Sequence, residues 1–223
     1  MSTYLTTREL DAARAKYRGE IIPADALSVM DAETEALRAS GIERRALKPG
    51  TPVPDFILPD AQGRSVRLHS LLRQGPVVLV FYRGGWCPYC NLHLRGFQRA
   101  LPRLQKLGAQ IVAISPQLPD NSLSTQEKHE LAFPVLSDVG NKVAHQFGIV
   151  FQIGEKLQEL YGKFGHPLDL FNGPEGAQQL PIPATFLVDR KGVIRLAHID
   201  ADYTRRLDPD DVITALTQRT AGG

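Results

Sequence analysis

Two cysteines separated by a proline and a tyrosine are the residues of this chain whose types and spacing point most directly to chemistry. Cys87 and Cys90 are the only cysteines among 223 residues, and they follow the apolar run at residues 77–82. A helix that begins here leaves its first backbone N–H groups unpaired and directed at the first cysteine, which favours thiolate over thiol. Pro88 suits the first helical position, where its missing N–H costs nothing. Because the pair can close and reopen a small disulfide ring, the spacing predicts redox chemistry.

Metal binding is the main structural alternative for such a pair. A structural zinc ion needs about four ligands, and the sequence has no second C-x-x-C or H-x-x-x-H run to complete the set. The six histidines show no ligand spacing, so no metal and no dissociable cofactor is expected. His93 lies one helical turn after Cys90 and could act as a base there, although a packed or exposed histidine is the more common outcome. Two inert core thiols are the remaining alternative.

Composition restricts the other classes of function. The chain is 43% hydrophobic and carries a net charge of +2, with its basic residues spread along the sequence, so nucleic-acid binding is not expected. Residues 1–25 contain no signal-like apolar segment, and the run at 77–82 is far too short for a membrane span. We therefore expect a cytoplasmic protein without membrane contacts. Structural disulfides are rare in a reducing compartment, which favours a catalytic pair.

The first 46 residues form a segment of their own in the sequence pattern. Residues 6–9 offer a capping box, and apolar residues recur at helical spacing between positions 27 and 37. We predict an N-terminal arm of two helices at residues 1–46, followed by the main domain at 47–223. The apolar stripe of the arm must be covered by the main domain or by a second subunit, so a homodimer is one possible arrangement.

The sequence pattern of the main domain predicts an α/β fold. A hairpin-like entry near residue 60 precedes the buried strand at 77–82, a long helix and a second apolar strand at 109–115, which together predict a parallel βαβ unit. The cysteines then lie at the carboxyl end of a parallel strand, the usual place for a site in such a sheet. Further elements are predicted as helices at 122–131, 141–147 and 208–216, strands at 133–136, 184–188 and up to 199, and a surface insertion at 150–180.

This pattern resembles the peroxiredoxin branch of the thioredoxin-fold superfamily, which includes alkyl hydroperoxide reductase and the thiol-specific antioxidants. The resemblance covers residues 47–216 and rests on four stretches at 52–56, 77–90, 133–138 and 183–189. Any one stretch alone would be weak, but together they are specific. The resemblance implies a thioredoxin-like fold, a central mixed sheet flanked by helices.

The resemblance also assigns roles to individual residues. Pro183 matches the cis-proline of the superfamily, whose preceding residue, Ile182, would lie beside the active cysteines and bind substrate. Arg206 lies where peroxiredoxins place an arginine that stabilises the reacting thiolate, although Arg205 leaves the register open by one residue. Trp86 would form one wall of the site, unless it is simply a core residue.

One departure from the family leaves the order of the cysteines open. Peroxiredoxins carry P-x-x-x-T-x-x-C, and with Cys90 aligned to the final cysteine this chain has Arg83 for the proline and Cys87 for the threonine. If the chain follows the peroxiredoxin motif, Cys90 reacts with the peroxide. If it follows the thioredoxin pattern, Cys87 attacks and Cys90 resolves the intermediate. We predict Cys87 as the attacking thiolate, because stabilisation by a helix terminus falls off within the first turn.

The sequence therefore predicts an antioxidant oxidoreductase that reduces hydroperoxides through a Cys87/Cys90 dithiol–disulfide cycle. A thioredoxin- or glutaredoxin-like donor would regenerate the dithiol, and Arg206 and Arg83 would stabilise the thiolate and the developing oxyanion. Two alternatives remain: a protein disulfide oxidoreductase without peroxidase activity, which the missing threonine favours, and a redox sensor that controls a partner.

Overall fold

A computed structural model describes residues 4–220. The strands are β1 (Ile57–Pro59), β2 (Ser65–Arg67), β3 (Val77–Phe81), β4 (Gln110–Ser115), β5 (Val135–Ser137), β6 (Val150–Gln152), β7 (Gln179–Pro181), β8 (Ala184–Val188) and β9 (Ile194–Ile199). The α-helices are α1 (Leu5–Lys16), α2 (Ala24–Ala39), α3 (Ile42–Arg45), α4 (Leu68–Leu72), α5 (Pro88–Lys106), α6 (Pro119–Lys128), α7 (Lys142–Gln146), α8 (Glu155–Lys163), α9 (Leu168–Asn172) and α10 (Pro209–Thr220). Within this part of the chain, no helix combines the length and apolarity needed to cross a bilayer.

The central sheet is mixed and has the strand order β5-β4-β3-β8-β9. Strand β3 pairs parallel with β4 and antiparallel with β8, while β5 is parallel to β4 and β9 antiparallel to β8. Helices cover both faces of the sheet, each over its own apolar cluster. This is the thioredoxin-like arrangement that the resemblance implies.

The βαβ unit around the cysteines is confirmed. All five residues of β3 are buried, as expected for a continuous apolar run at the centre of a parallel pair. The chain then turns into α5, with Cys87 at the N-cap in an extended conformation and Pro88 at the first helical position. The cysteines consequently lie at the carboxyl end of β3.

The N-terminal helices pack on the main domain of the same chain. Leu10 of α1 is 2% exposed and belongs to the apolar cluster that contains both cysteines. Helix α1 approaches α5 closely at Gly96, where an added Cβ would come within 2.4 Å of Thr6 Oγ1. A π-helical turn (Tyr17–Ile21) links α1 to α2, which packs against α8. The apolar stripe of the arm is thus covered within the chain.

The segment predicted as a surface insertion contains ordered and buried elements. Strands β6 and β7 pair antiparallel around α8 and α9. Leu157, Tyr161 and Leu180 form a third apolar cluster with Met30 of α2. The Gly- and Pro-rich composition of residues 165–176 concealed α9, because a short helix carries little periodicity.

Two predicted helix boundaries differ from the structure. Helix α6 begins at Pro119 rather than near residue 122, since proline is favoured at the first helical position. Helix α10 continues to Thr220, beyond the predicted end at 216. The strands and helices that position the cysteines are otherwise where the sequence predicts them.

Candidate active site

Both cysteines are free thiols and both are almost completely buried. Cys87 is 1% exposed and Cys90 is 0% exposed, beneath a cover to which the N-terminal arm contributes. The turn that carries them is fixed from two sides: the backbone N–H of Gly85 donates to Gln117 Oε1 at 2.8 Å, and Asn91 Nδ2 donates to the Gly85 carbonyl at 2.8 Å. The two sulfurs are therefore held in a set position and away from bulk water.

Arg206 contacts the sulfur of Cys90. Its Nη1 and Nη2 groups donate toward Cys90 Sγ across 3.7 and 3.6 Å, and its Nε donates to the carbonyl oxygen of Tyr203 at 2.9 Å. The arginine is only 8% exposed, so its charge acts on the sulfur with little screening by water. Arg205, by contrast, is exposed and pairs with Asp202. This geometry settles the register of the arginine pair.

The two thiols have opposite pKa shifts. Burial raises the pKa of Cys90, but the hydrogen bond from Cys87, the charges of Arg206 and Arg83 and the backbone N–H of Arg83 outweigh burial, and the pKa lies well below its usual range. Burial and the neighbouring Cys90 sulfur raise the pKa of Cys87 well above its usual range. These opposite shifts favour Cys90 over Cys87 as the thiolate of the pair.

The geometry favours the opposite order from the predicted one, in which Cys87 is the attacking thiolate. That prediction relied on the helix terminus, whose effect is about 0.3–1 kcal/mol at an exposed position and reaches about 2 kcal/mol in partly buried geometries. The structure adds a direct guanidinium contact, and that contact reaches Cys90 alone. Charge-assisted hydrogen bonds of this kind contribute about 1.5–3 kcal/mol, which is enough to reverse the order.

Arg83 occupies an aromatic cage. Its guanidinium carbon lies 4.3 Å from the ring centre of Tyr203, 4.8 Å from that of Trp86 and 5.3 Å from that of Tyr161, and its Nη2 donates to the Tyr161 hydroxyl. Burial opposes the charge, but Tyr161 and the two cysteine sulfurs favour it, and the pKa lies above the usual value. The residue is 3% exposed and remains a buried cation.

Trp86 lies beside the cysteines and lines a cavity next to Cys87. Its ring lies 5.2 Å from that of Tyr161 and 5.7 Å from that of His166. Glycine at position 84 permits this placement. Its φ of 155° is a conformation that other residues rarely adopt, and an added Cβ would lie 2.3 Å from Trp86 Nε1. The tryptophan therefore connects the cysteine turn to α8.

The Ile182–Pro183 peptide differs from the expectation. No peptide bond within residues 4–220 is cis, so this bond is trans, the state that most X-Pro bonds adopt. The backbone N–H of Ile182 donates to the carbonyl of Ile149 at 2.7 Å, which extends the β6–β7 pairing up to the proline. Both residues line a small cavity of about 20 Å³ that also reaches Arg83 and Tyr203.

His93 is unsuited to the role of base. Burial lowers its pKa to about 3, and the charge of Arg206 adds to this effect. Its Nε2 is bound to the carbonyl oxygen of Leu207 at 2.9 Å, and its ring packs against Phe97 at 5.0 Å. It is a neutral core histidine that anchors the segment carrying Arg206. Among the described residues, no group of three or more His, Cys, Asp or Glu side chains is arranged to hold a metal ion.

A larger cavity of about 340 Å³ opens against Cys87. Tyr17, Ile22 and Met30 contribute to it from the N-terminal arm, and Trp86 and Tyr161 from the opposite side. Cys90 is not part of its wall. The volume suits a small organic molecule, and the wall is mostly apolar and aromatic.

Tyr161 and Tyr203 are site residues that sequence reasoning did not identify. Tyr203 is three residues before Arg206, and Tyr161 lies in the segment interpreted as an insertion. The signal that identifies them is the clustering of aromatic side chains around a buried arginine. This clustering is visible only in the folded structure.

Most of the chain is similar to known proteins. Residues 49–197 match the model described as the AhpC/TSA family. A "Peroxiredoxin Q, chloroplastic" of Sedum lineare is 32% identical over 162 residues, covering 73% of this chain and 74% of the relative. A protein of the same name from Triticum aestivum is 29% identical over 181 residues, covering 81% of this chain and 72% of the relative.

A solved structure shares the fold. The crystal structure of peroxidoxin BcpB from Mycobacterium tuberculosis is 26% identical and superposes with a TM-score of 0.61, covering 77% of this chain and 97% of the other. A peroxiredoxin Q structure from Xanthomonas campestris is 21% identical, with a TM-score of 0.56, 73% of this chain and 90% of that one, and supports the fold alone.

Proposed function

This chain belongs to the AhpC/TSA family and is a thiol-dependent peroxidase, and from that premise we propose that Cys90 is the residue that attacks the hydroperoxide and Cys87 the one that resolves it. The observation that carries the proposal is the contact of the Arg206 guanidinium with Cys90 Sγ at 3.6 and 3.7 Å. A deprotonated sulfur is the nucleophile in such chemistry, and Cys90 is the thiol whose pKa is lowered.

In the first step the Cys90 thiolate attacks the terminal oxygen of the hydroperoxide. The O–O bond breaks, the leaving oxygen takes a proton and departs as water or an alcohol, and the sulfur becomes a sulfenic acid. Arg206 stabilises the thiolate and then the negative charge that develops on the leaving oxygen. Arg83 adds a second positive charge behind the sulfur.

In the second step Cys87 attacks the sulfenic sulfur. An S–S bond forms, the S–OH bond breaks and water leaves. Cys87 sits at the N-cap of α5, three residues before Cys90, and the two thiols lie within hydrogen-bonding reach of each other. A thiol donor then reopens the disulfide, and the family resemblance implies a thioredoxin- or glutaredoxin-like protein for this role.

Serine substitutions at the two cysteines test the order. With one equivalent of hydrogen peroxide, Cys87→Ser should retain fast oxidation and accumulate a sulfenic acid that a dimedone-type reagent traps on Cys90, because its resolving thiol is gone. Cys90→Ser should react no faster than a free thiol. The reverse pattern would assign the attack to Cys87 and refute the proposed order.

The two alternatives drawn from the sequence gain no support from the geometry. A protein disulfide oxidoreductase would use the same dithiol, and the match to the AhpC/TSA family favours a hydroperoxide over a protein disulfide as the oxidant. A sensor role would need a redox-dependent change in a partner surface, and no observation points to one.

Several expectations about the surroundings of the enzyme stay predictions. We propose a cytoplasmic protein without nucleic-acid or membrane partners, on composition alone. A homodimer also stays a prediction. The apolar faces of α1 and α2 no longer argue for one, because they are covered within the chain. Sedimentation of the full chain tests it directly.

A further inference from the structure

The cavity against Cys87 is accessible to a small molecule but lies away from the sulfur that reacts with peroxide. Its wall includes Cys87 and excludes Cys90. In the oxidised enzyme, Cys87 is therefore the disulfide sulfur that faces the cavity. A nucleophile placed there would attack Cys87 and expel Cys90, whose thiolate Arg206 already stabilises. Because a good leaving thiolate accelerates exchange, this is also the favourable direction of attack.

The charges around the cavity are not balanced. Arg83 and Arg206 are both buried, while the Cys90 thiolate supplies one negative charge. Among residues 4–220, no carboxylate forms an ion pair with either arginine within 4.0 Å. Glu33 borders the small cavity on the other side of Arg83, but its carboxylate lies against Gly154. One buried positive charge is therefore left without a carboxylate partner among the described residues.

That charge borders the cavity. Of the described residues that line the cavity, Arg83 is the one that carries a charge at neutral pH, since burial lowers the pKa of His166. The Nε atom of Arg83 is buried without a hydrogen-bond partner in the described structure, and its one hydrogen bond goes to the Tyr161 hydroxyl. Unsatisfied buried cations are costly, so the site favours a ligand that brings a negative group to Arg83.

We propose that this cavity binds the reductant of the enzyme as a low-molecular-weight thiol that carries a carboxylate. The inference rests on the proposed function and names the donor that acts on its disulfide. The carboxylate pairs with Arg83, the organic body packs on the ring of Trp86 and the side chains of the arm, and the sulfur reaches Cys87. A donor of this size fits a cavity of about 340 Å³, and it differs from the protein donor that the family resemblance implies.

The exchange balances in two steps. The thiolate of the donor attacks Cys87 Sγ, the Cys87–Cys90 bond breaks, and Cys90 leaves as the thiolate held by Arg206. A second donor thiolate attacks the donor sulfur of the mixed disulfide and releases Cys87, which takes up a proton. Two donor thiols are thereby oxidised to one disulfide and the enzyme disulfide is reduced to the dithiol.

The test uses the full-length protein oxidised to its disulfide by diamide, so that it is independent of peroxidase activity. Reduction is followed with 3-mercaptopropionate, neutral 2-mercaptoethanol and cationic cysteamine, and with glutathione as a larger carboxylate thiol, each rate expressed per thiolate. We expect 3-mercaptopropionate to exceed 2-mercaptoethanol by about tenfold or more, because one charge-assisted hydrogen bond is worth about that factor. Phenylpropionate, which has no thiol, should inhibit this reduction competitively.

Variants at Arg83 locate the effect. Arg83→Gln should lose the preference for the carboxylate thiol, and Arg83→Lys should keep most of it. Arg205→Gln, an exposed neighbour of the site, is the matched control and should behave as the wild type. If Arg83→Gln does not fold, the ranking of thiols and the inhibition by phenylpropionate still decide the matter on the wild-type protein.

Three results would overturn the proposal. They are equal rates per thiolate for anionic, neutral and cationic thiols, a retained preference in folded Arg83→Gln, and faster reduction by thioredoxin than by any small thiol at equal concentration. Failure of the peroxidase itself would appear elsewhere, as the absence of disulfide after stoichiometric hydrogen peroxide. The two failures are therefore distinguishable.

Discussion

Replacing Arg206 by glutamine tests the electrostatic basis of the active thiolate. The substitution removes a buried charge whose two N–H groups lie 3.6 and 3.7 Å from Cys90 Sγ. A hydrogen bond to a charged group contributes about 1.5–3 kcal/mol, and each 1.4 kcal/mol corresponds to about a factor of ten. We therefore expect the rate of oxidation by hydrogen peroxide at pH 7 to fall by about 10- to 150-fold. The pKa of Cys90 should rise at the same time.

Stopped-flow measurement of thiol loss between pH 5 and 9 provides the readout. In the wild type the rate should be nearly flat around neutrality, since a lowered pKa keeps Cys90 ionised there. In Arg206→Gln the rate should continue to climb with pH, so that the two proteins converge at the alkaline end. Arg206→Lys, which keeps the charge, should lie between them, and Arg205→Gln should match the wild type.

The side chain of Arg206 also bonds to the carbonyl of Tyr203, so stability must be measured alongside. Urea unfolding of each variant shows whether the fold persists at 25 °C. The reasoning would be refuted by a folded Arg206→Gln protein that reacts within twofold of the wild type at pH 7 with an unchanged pH profile. In that event the backbone N–H of Arg83 and the Cys87 thiol would suffice to hold the thiolate.

Further expectations concern the core beneath the site. The pKa of His93 is about 3 in the folded chain and 6.5 when unperturbed, so the unfolded state binds the proton more tightly. The free energy of unfolding should therefore decrease as the pH falls from 6.5 towards 3, by about 5 kcal/mol in all. Urea unfolding at pH 7 and 4.5 should show a smaller acid loss in His93→Gln, and equal losses in both proteins would contradict this account. Gly96→Val should clash with Thr6 and cost about 1–3 kcal/mol, with faster alkylation of the cysteines as α1 loosens; unchanged alkylation would contradict it. Leu10→Ala should cost about 2–5 kcal/mol by urea unfolding, and a loss below 1 kcal/mol would show that α1 contributes little.

The sequence was sufficient where local pattern and burial agree. The continuous apolar run of β3, the proline after Cys87 and the second run of β4 together predicted the βαβ unit and the position of the cysteines. The placement of Arg206 followed from resemblance rather than from pattern. It was open by one residue until the fold showed that this side chain turns inward while Arg205 turns out to solvent.

The order of the cysteines could not be read from the sequence, because it depends on contacts between distant segments. Arg206 is separated from Cys90 by 116 residues. The aromatic cage has the same origin: Tyr161 lies 78 residues after Arg83, on a helix of the segment interpreted as a surface insertion. Local spacing carries no information about such pairs, and the helix-terminus argument was the one local effect available.

The segment that carries Arg206 is built without regular secondary structure, and its neighbours come from both ends of the chain. The Leu207 carbonyl binds His93, and Asp208, which is 4% exposed, accepts hydrogen bonds from the Thr7 backbone N–H at 2.8 Å and hydroxyl at 2.9 Å. Any chimera that transplants this catalytic core onto another leader sequence would separate Asp208 from those donors. Helix α1 and the segment that carries Arg206 are therefore coupled through Thr7 and Asp208, and a chimera has to exchange the two together.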